Sequence, residues 1–295
     1  MPQNDFQGII PILITPFDAK GRIDTDSLQS LVAFNVDAGV HGLGVALGSE
    51  IFKLTDAERD QVLETVVTAV NGRVPVVMNT SAAGTDIALA KSRRAQDLGA
   101  DALMIYPESF MPTGPEAAFS LFDRLDAEVS LPIILQDVPQ APISPDIVRR
   151  IVLHASRTAA IKVETLPTVP QVHRMAEKVA GQLTIIGGAG GSYMIEEYRR
   201  GARGTMPFCS QPEDFVAVWD HLTARDETAA RNRFDRTIMA INRLGAQNGD
   251  LFYHLHKQIL QRRGIIATAH VRAPTCTVDP VTQSEINAIL DQFYG

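Results

Sequence analysis

The 295-residue chain is short of thiols: Cys209 and Cys276 are its only cysteines, and they stand far apart. Two isolated cysteines supply neither a disulfide framework nor a cysteine-rich metal motif, and they fit a reducing compartment. Positive charge is also scarce. Lys and Arg number 27 against 34 Asp and Glu, a formal charge of −7. Phosphate binding needs a basic face, so the balance argues against a nucleic-acid partner but leaves anionic small molecules open. No stretch approaches the roughly 18 apolar residues of a membrane span. The start of the chain reaches Asp5 before its first apolar run, unlike a secretion signal. A cytoplasmic protein is expected. Histidines are scattered, and His254 and His256, two apart on a predicted helix, diverge. No metal cluster and no Ser-His-Asp pattern emerges, so no metal is expected.

What the chain does contain is a recurring short apolar run rich in Val, Ile and Leu. Such runs are Gly8–Thr15, Gly42–Leu47, Pro75–Asn79, Ala102–Tyr106, Pro132–Asp137, Ala159–Val163, Thr184–Gly187 and Gly204–Pro207. Runs of this kind bounded by Gly and Pro suit parallel strands buried on both faces. Between them lie amphipathic segments with helix-start residues at Ser27, Asp56, Asp86 and Pro145. Gly39, Gly72 and Gly99 follow the first three, where a left-handed cap suits glycine. Eight strands alternating with helices predict an α/β fold, a (β/α)8 TIM barrel over residues 1–225. Three further helical segments, Glu227–Asn248, Asp250–Gly264 and Ser284–Phe293, predict a C-terminal helical extension over 226–295, packed on the barrel.

Barrel chemistry sits where strands end. There, Ala159-Ala160-Ile161-Lys162-Val163-Glu164-Thr165 places a lysine inside an apolar strand, where an ammonium is costly unless paired or neutralised. The neutral amine is the form that attacks a carbonyl. Glu164 lies two residues on and shares its face. A structural Lys162–Glu164 ion pair is the alternative. At the end of the fifth strand, Gln136 points to the face of Ile134 and Asp137 to the face of Leu135. Gln136 is a candidate to bind substrate or water; otherwise both residues serve nearby backbone groups. Gly48 and Ser49 open the loop after strand two and can offer donors to a carboxylate. The alternative is a plain turn with a solvated Glu50. Gly187 and Gly188 begin a glycine-rich turn that matches no nucleotide-binding fingerprint and suits a carboxylate, a sugar hydroxyl or a phosphate.

Taken together, the chain resembles the dihydrodipicolinate synthase/N-acetylneuraminate lyase family of class I aldolases and dehydratases. The likeness rests on Thr15-Pro16-Phe17, Leu54-Thr55 with Glu58-Arg59, Val74-Pro75-Val76, Leu98-Gly99-Ala100-Asp101, Pro132-Ile133-Ile134, Val138-Pro139, Ile161-Lys162 and Val271-Arg272-Ala273-Pro274. It implies a barrel without cofactor, a homo-oligomer (dimer or tetramer), and Lys162 as the Schiff-base lysine. The departures are informative. The family's Thr/Ser pair before the second-loop glycine-glutamate is Ala46-Leu47-Gly48-Ser49-Glu50 here, and its strand-five tyrosine is Gln136. The tyrosine after strand four is replaced within Glu108-Ser109-Phe110, and Gln140-Ala141-Pro142 lacks the synthase's arginine. Ser49-Glu50-x-Phe52-x-Leu54, Ser92-Arg93-Arg94-Ala95-Gln96, Gln136-Asp137-x-Pro139 and Lys162-x-Glu164-Thr165 look like the family's 2-keto-3-deoxy-L-arabonate dehydratase branch.

The resemblance implies a lyase acting on a small-molecule 2-keto-3-deoxy sugar acid by dehydration. Its catalytic residues would be Lys162, Glu164 and Gln136, and Gly48, Ser49, Gly187 and Gly188 would bind substrate. A pyruvate-releasing retro-aldolase and a catalytically silent sugar-acid-binding protein are the alternatives.

Overall fold

The apolar runs pair into one eight-stranded sheet. The computed structural model describes residues 6–108, 111 and 114–295. Its strands are β1 (Gly8–Ile9), β2 (Leu43–Val45), β3 (Val76–Asn79), β4 (Ala102–Ile105), β5 (Ile133–Asp137), β6 (Thr158–Val163), β7 (Thr184–Gly187) and β8 (Gly204–Thr205). They lie in chain order from β2 to β8, with β1 beside β8 in parallel register. A first strand placed against the last is what barrel closure requires. On the other side of β1, the His41 N–H donates to the Ile9 carbonyl at 2.8 Å, just before β2 begins.

Helices alternate with these strands: α1 (Thr25–Asp37), α2 (Asp56–Val70), α3 (Thr85–Asp97), α4 (Pro115–Glu128), α5 (Pro145–His154), α6 (Thr168–Val179), α7 (Met194–Tyr198) and α8 (Pro212–Thr223). There follow α9 (Glu227–Arg233), α10 (Met239–Gly245), α11 (Leu251–Arg262) and α12 (Pro280–Tyr294). The fold is a (β/α)8 barrel with a C-terminal helical extension. No described helix is long and apolar enough to cross a membrane.

Three expectations need correction. The first strand is much shorter than Gly8–Thr15: Ile10 makes its last regular donation to β8, to the Thr205 carbonyl, and Pro11, whose nitrogen faces the opposite edge, has no N–H to pair there. Beyond it, Ile12 makes only an isolated bridge to Phe208. Helix α1 starts before Ser27, whereas Asp56 and Pro145 open α2 and α5 as expected. Asp24, not Ser27, caps α1, and its carboxylate accepts from the Ser27 amide (3.0 Å) and hydroxyl (2.7 Å). Thr55, not Asp56, caps α2 in a reciprocal box with Glu58. The single helix expected over Glu227–Asn248 is interrupted by a π-helical turn, Phe234–Ile238, between α9 and α10.

Two compact sets of segments make up the chain. One comprises β1, the start of β2 and Pro75–Pro207. Its strand residues are buried on both faces: Ala102, Leu103, Met104, Ile105, Ile133 and Ile134 are all without exposed surface. The other comprises Pro11–Val40, Val45–Val74 and Phe208–Gly295. There α10, α11 and α12 close on Ile241, Leu244, Leu255, Ile259 and Ile286.

Within this second set, Glu50 does not fit the alternative of a plain turn with a solvated glutamate. It is fully buried rather than solvated, in the left-handed backbone region at φ 57°. Such a conformation costs a non-glycine residue energy and persists only when neighbours over-determine it. Here two lysines do so: Lys53 lies 3.0 Å from one carboxylate oxygen, and the buried Lys257 of α11 binds the other. Desolvation pushes Lys257 down to about 8, while the Glu50 charge opposes the shift. Removing one partner of a buried pair leaves an uncompensated charge. Lys257→Met should therefore destabilise the protein by about 3 kcal/mol, measured by urea unfolding, whereas exposed Lys178→Met should cost under about 1 kcal/mol.

Candidate active site

The polar residues at the ends of β3, β5 and β6 form one hydrogen-bonded line. β5 and β6 run parallel with Gln136 opposite Lys162, so the two side chains share a face. Glu164 shares that face because it follows Lys162 by two residues in extended chain. Lys162 is 4% exposed, and its Nζ lies 3.0 Å from Glu164 Oε1. Glu164 Oε2 accepts from the Gln136 amide at 2.7 Å. Gln136 Oε1 in turn accepts from the Asn79 amide at 2.9 Å, and Asn79 Oδ1 accepts from the Ser81 N–H at 3.1 Å. The arrangement holds an amine, a carboxylate within proton-transfer reach of it, and an amide that fixes the carboxylate's second oxygen.

Asp137, on the opposite face, serves nearby backbone and loop groups, the alternative reading of this residue. Its carboxylate accepts from the Ile143 N–H (2.9 Å), the Thr165 hydroxyl (2.8 Å) and the Thr165 N–H (3.3 Å). It ties down the loop after β5 and the exit of β6. Burial raises its pKa despite these bonds.

Gly187 and Gly188 have a role that the sequence did not indicate. A Cβ on Gly188 would fall 2.1 Å from Glu164 Cγ, and one on Gly187 would fall 1.9 Å from Glu197 Oε2. Both glycines make room for carboxylate side chains. Glu197 of α7 was missed in the sequence, where nothing distinguishes it from its neighbour Glu196. It has no exposed surface; the Thr168 hydroxyl donates to Oε1, while Oε2 has no partner among the described residues. Burial pushes Glu197 up to about 7, opposed by the Thr168 hydrogen bond and reinforced by the Glu196 and Glu164 charges.

That shift has a pH signature. The ordinary value is 4.5, so between pH 4.5 and 7 the folded chain keeps a proton that the unfolded chain has lost. The group's contribution is fully present below the lower value and is lost as pH rises through the upper one. Glu197→Gln should flatten this fall and raise stability at pH 8 relative to the parent by on the order of 3 kcal/mol, with little difference at pH 4. Denaturant unfolding at the two pH values measures it.

In the second set of segments, Ser49 is buried and its donors are already engaged. Its hydroxyl donates to the Leu13 carbonyl and accepts from the Ala46 N–H at 3.0 Å, while its own N–H donates to the Ala46 carbonyl at 2.8 Å. Gly48 is tightly enclosed, since a Cβ would lie 3.0 Å from Ile12 Cγ2. Of the loop after β4, Ser109, Phe110, Pro112 and Thr113 lie outside the described residues, and with them the expected loss of a tyrosine there.

Asn79 was also missed as a site residue. The signal was available: it is a polar residue at the end of an apolar strand, as Gln136 and Asp137 are.

Similarity to known proteins bears on the whole chain. The profile of the dihydrodipicolinate synthetase family matches residues 5–293. An L-2-keto-3-deoxyarabonate dehydratase of Azospirillum brasilense is 30% identical over 292 residues, 96% of this chain and 93% of its own. A 4-hydroxy-tetrahydrodipicolinate synthase of Methanosphaerula palustris is 34% identical over 75% of this chain and 78% of its own. Among solved structures, dihydrodipicolinate synthase from Rhodopseudomonas palustris superposes with a TM-score of 0.89 at 25% identity, covering 99% of each chain. A match of that extent means that the chain belongs to the dihydrodipicolinate synthetase family, whose members are lyases acting on small molecules.

Proposed function

We propose that this lyase forms a Schiff base through Lys162 with a small 2-oxo acid and dehydrates a 2-keto-3-deoxy sugar acid. The carrying observation is the line Lys162–Glu164–Gln136–Asn79, in which an amide stands where a proton-relaying tyrosine would be expected. Lys162 Nζ attacks C2, and loss of water yields an iminium that draws electrons from C3. Glu164 removes the C3 proton and returns it to the departing C4 hydroxyl, leaving a C3–C4 double bond. A proton shift along the conjugated chain and hydrolysis of the imine then release a dioxo acid and the free lysine. Gln136 holds Glu164 in place and orients the hydroxyl.

Gly48 and Ser49 hold the substrate carboxylate in this scheme, with Ser49 exchanging its bond to Leu13 for it. Gly187 and Gly188 would bind the substrate beside Glu164. The 30% identity to the Azospirillum dehydratase, over nearly the full length of both chains, supports the substrate class. The protein acts in the cytoplasm without a cofactor, as a dimer or tetramer; a single monomer-sized peak in size-exclusion chromatography would exclude the assembly.

The decisive experiment incubates the protein with 2-keto-3-deoxy-L-arabonate and measures product mass. A dioxo acid with retained carbon count supports dehydration. Pyruvate with an aldehyde fragment supports aldol cleavage, the second reading, which likeness to the Methanosphaerula synthase over three quarters of this chain favours.

A further inference from the structure

His254 and His256, which the sequence places on diverging faces of one helix, meet different neighbours. His256 is buried, with Nδ1 2.7 Å from the Ser210 hydroxyl and its ring against Phe208. His254 instead meets a different set of donors. Asp250, the residue before α11, precedes it by four, which puts both side chains on one helix face. Cys276 comes from the segment between α11 and α12. A carboxylate oxygen, a ring nitrogen and the thiol sulfur of these three all lie within 4.8 Å of one another.

We infer that Asp250, His254 and Cys276 bind a zinc-class divalent cation. Thiolate with imidazole and carboxylate selects zinc over magnesium or calcium, which prefer oxygen alone. Tetrahedral zinc holds such ligands roughly 3.3–3.8 Å apart. Closure by about an ångström therefore completes the site, and all three residues are partly exposed. Three protein ligands leave the fourth position to water.

Surrounding contacts keep the set together. The Cys276 N–H donates to Asp250 Oδ1 at 2.9 Å, fixing the loop to the helix start. The Thr275 hydroxyl lies 2.8 Å from His254 Nε2 and anchors the ring. Lys53, 3.7 Å from Asp250 Oδ2, places a positive charge nearby, but it also pairs with Glu50 and donates to the Arg272 carbonyl at 2.8 Å. On binding, the Cys276 S–H bond is exchanged for a zinc–sulfur bond and the proton passes to solvent. None of these residues takes part in the proposed reaction, so the site stands or falls independently of it.

The test uses the full chain, stripped with a chelator and titrated with Zn2+ by calorimetry and with Co2+ by absorption. One Zn2+ per chain is expected, together with a near-ultraviolet thiolate-to-cobalt band. Cys276→Ser should abolish that band, and Cys209→Ser should retain it, since Cys209 is fully buried elsewhere. His254→Ala and Asp250→Asn should each weaken Zn2+ binding by about tenfold or more, with far-ultraviolet circular dichroism unchanged. No Zn2+ uptake by the parent protein, or equal affinity in His254→Ala or Cys276→Ser, would overturn the site.

Discussion

Lys162→Ala should yield a folded protein that forms no borohydride-stable adduct with any 2-oxo acid. In the parent protein, reduction in the presence of pyruvate should add a fixed mass to the peptide containing Lys162. Turnover in the variant should fall by on the order of 10⁴-fold or more, equivalent to about 5.5 kcal/mol of barrier. The size follows from chemistry: without the imine, the C3 proton has no electron sink. The fold should survive, because Glu164 keeps its bond to Gln136 and is more exposed than Lys162, at 20% against 5% for the side chains. An adduct of undiminished yield in the variant would place the nucleophile on another lysine and end the proposal.

Glu164→Gln should separate imine formation from proton transfer. The adduct at Lys162 should persist, because the amine itself remains. Turnover should drop by about 10²–10⁴-fold, the range typical of a lost general acid–base group. The sharper readout is exchange of the pyruvate methyl hydrogens in deuterated water, followed by NMR. That exchange needs only the imine and a base, so it should fall in step with turnover. Exchange at the parent rate would mean that a group other than Glu164 takes the proton, while leaving Lys162 in place.

The alternation of side chains along a strand explains why so much of this site was legible. Lys162 and Glu164 share a face whatever the rest of the chain does, and the same period separated Gln136 from Asp137. The structure places Gln136 against Glu164 and Asp137 against backbone donors of Ile143 and Thr165. Asn79 obeyed the same rule and was passed over only because it closes a strand that carried no other chemical residue. Helix ends were less legible. The caps of α1 and α2 depend on which side-chain oxygen reaches a free amide, and Asp24 and Thr55 each preceded the more obvious signal.

Glu197 and Glu50 show what local pattern does not contain. Both are glutamates in stretches that read as ordinary surface, yet neither has exposed surface. For Glu197, the missing information is Gly187, whose absent side chain makes the space its carboxylate occupies. For Glu50, it is Lys257, 207 residues away along the chain.

From its sequence alone this chain determined its strand and helix alternation, and with it the barrel and the placing of Lys162 and Glu164 on one face. Those features follow from periodicities that operate over a few residues. Tertiary structure decided which charges are desolvated, why Gly187 and Gly188 must lack side chains, and that His254 meets Asp250 and Cys276 rather than His256. Burial and convergence depend on segments remote in sequence, and the free energy of a charge depends on whatever those segments bring against it. For Lys162, that means an amine nearly sealed from water with one carboxylate as its partner.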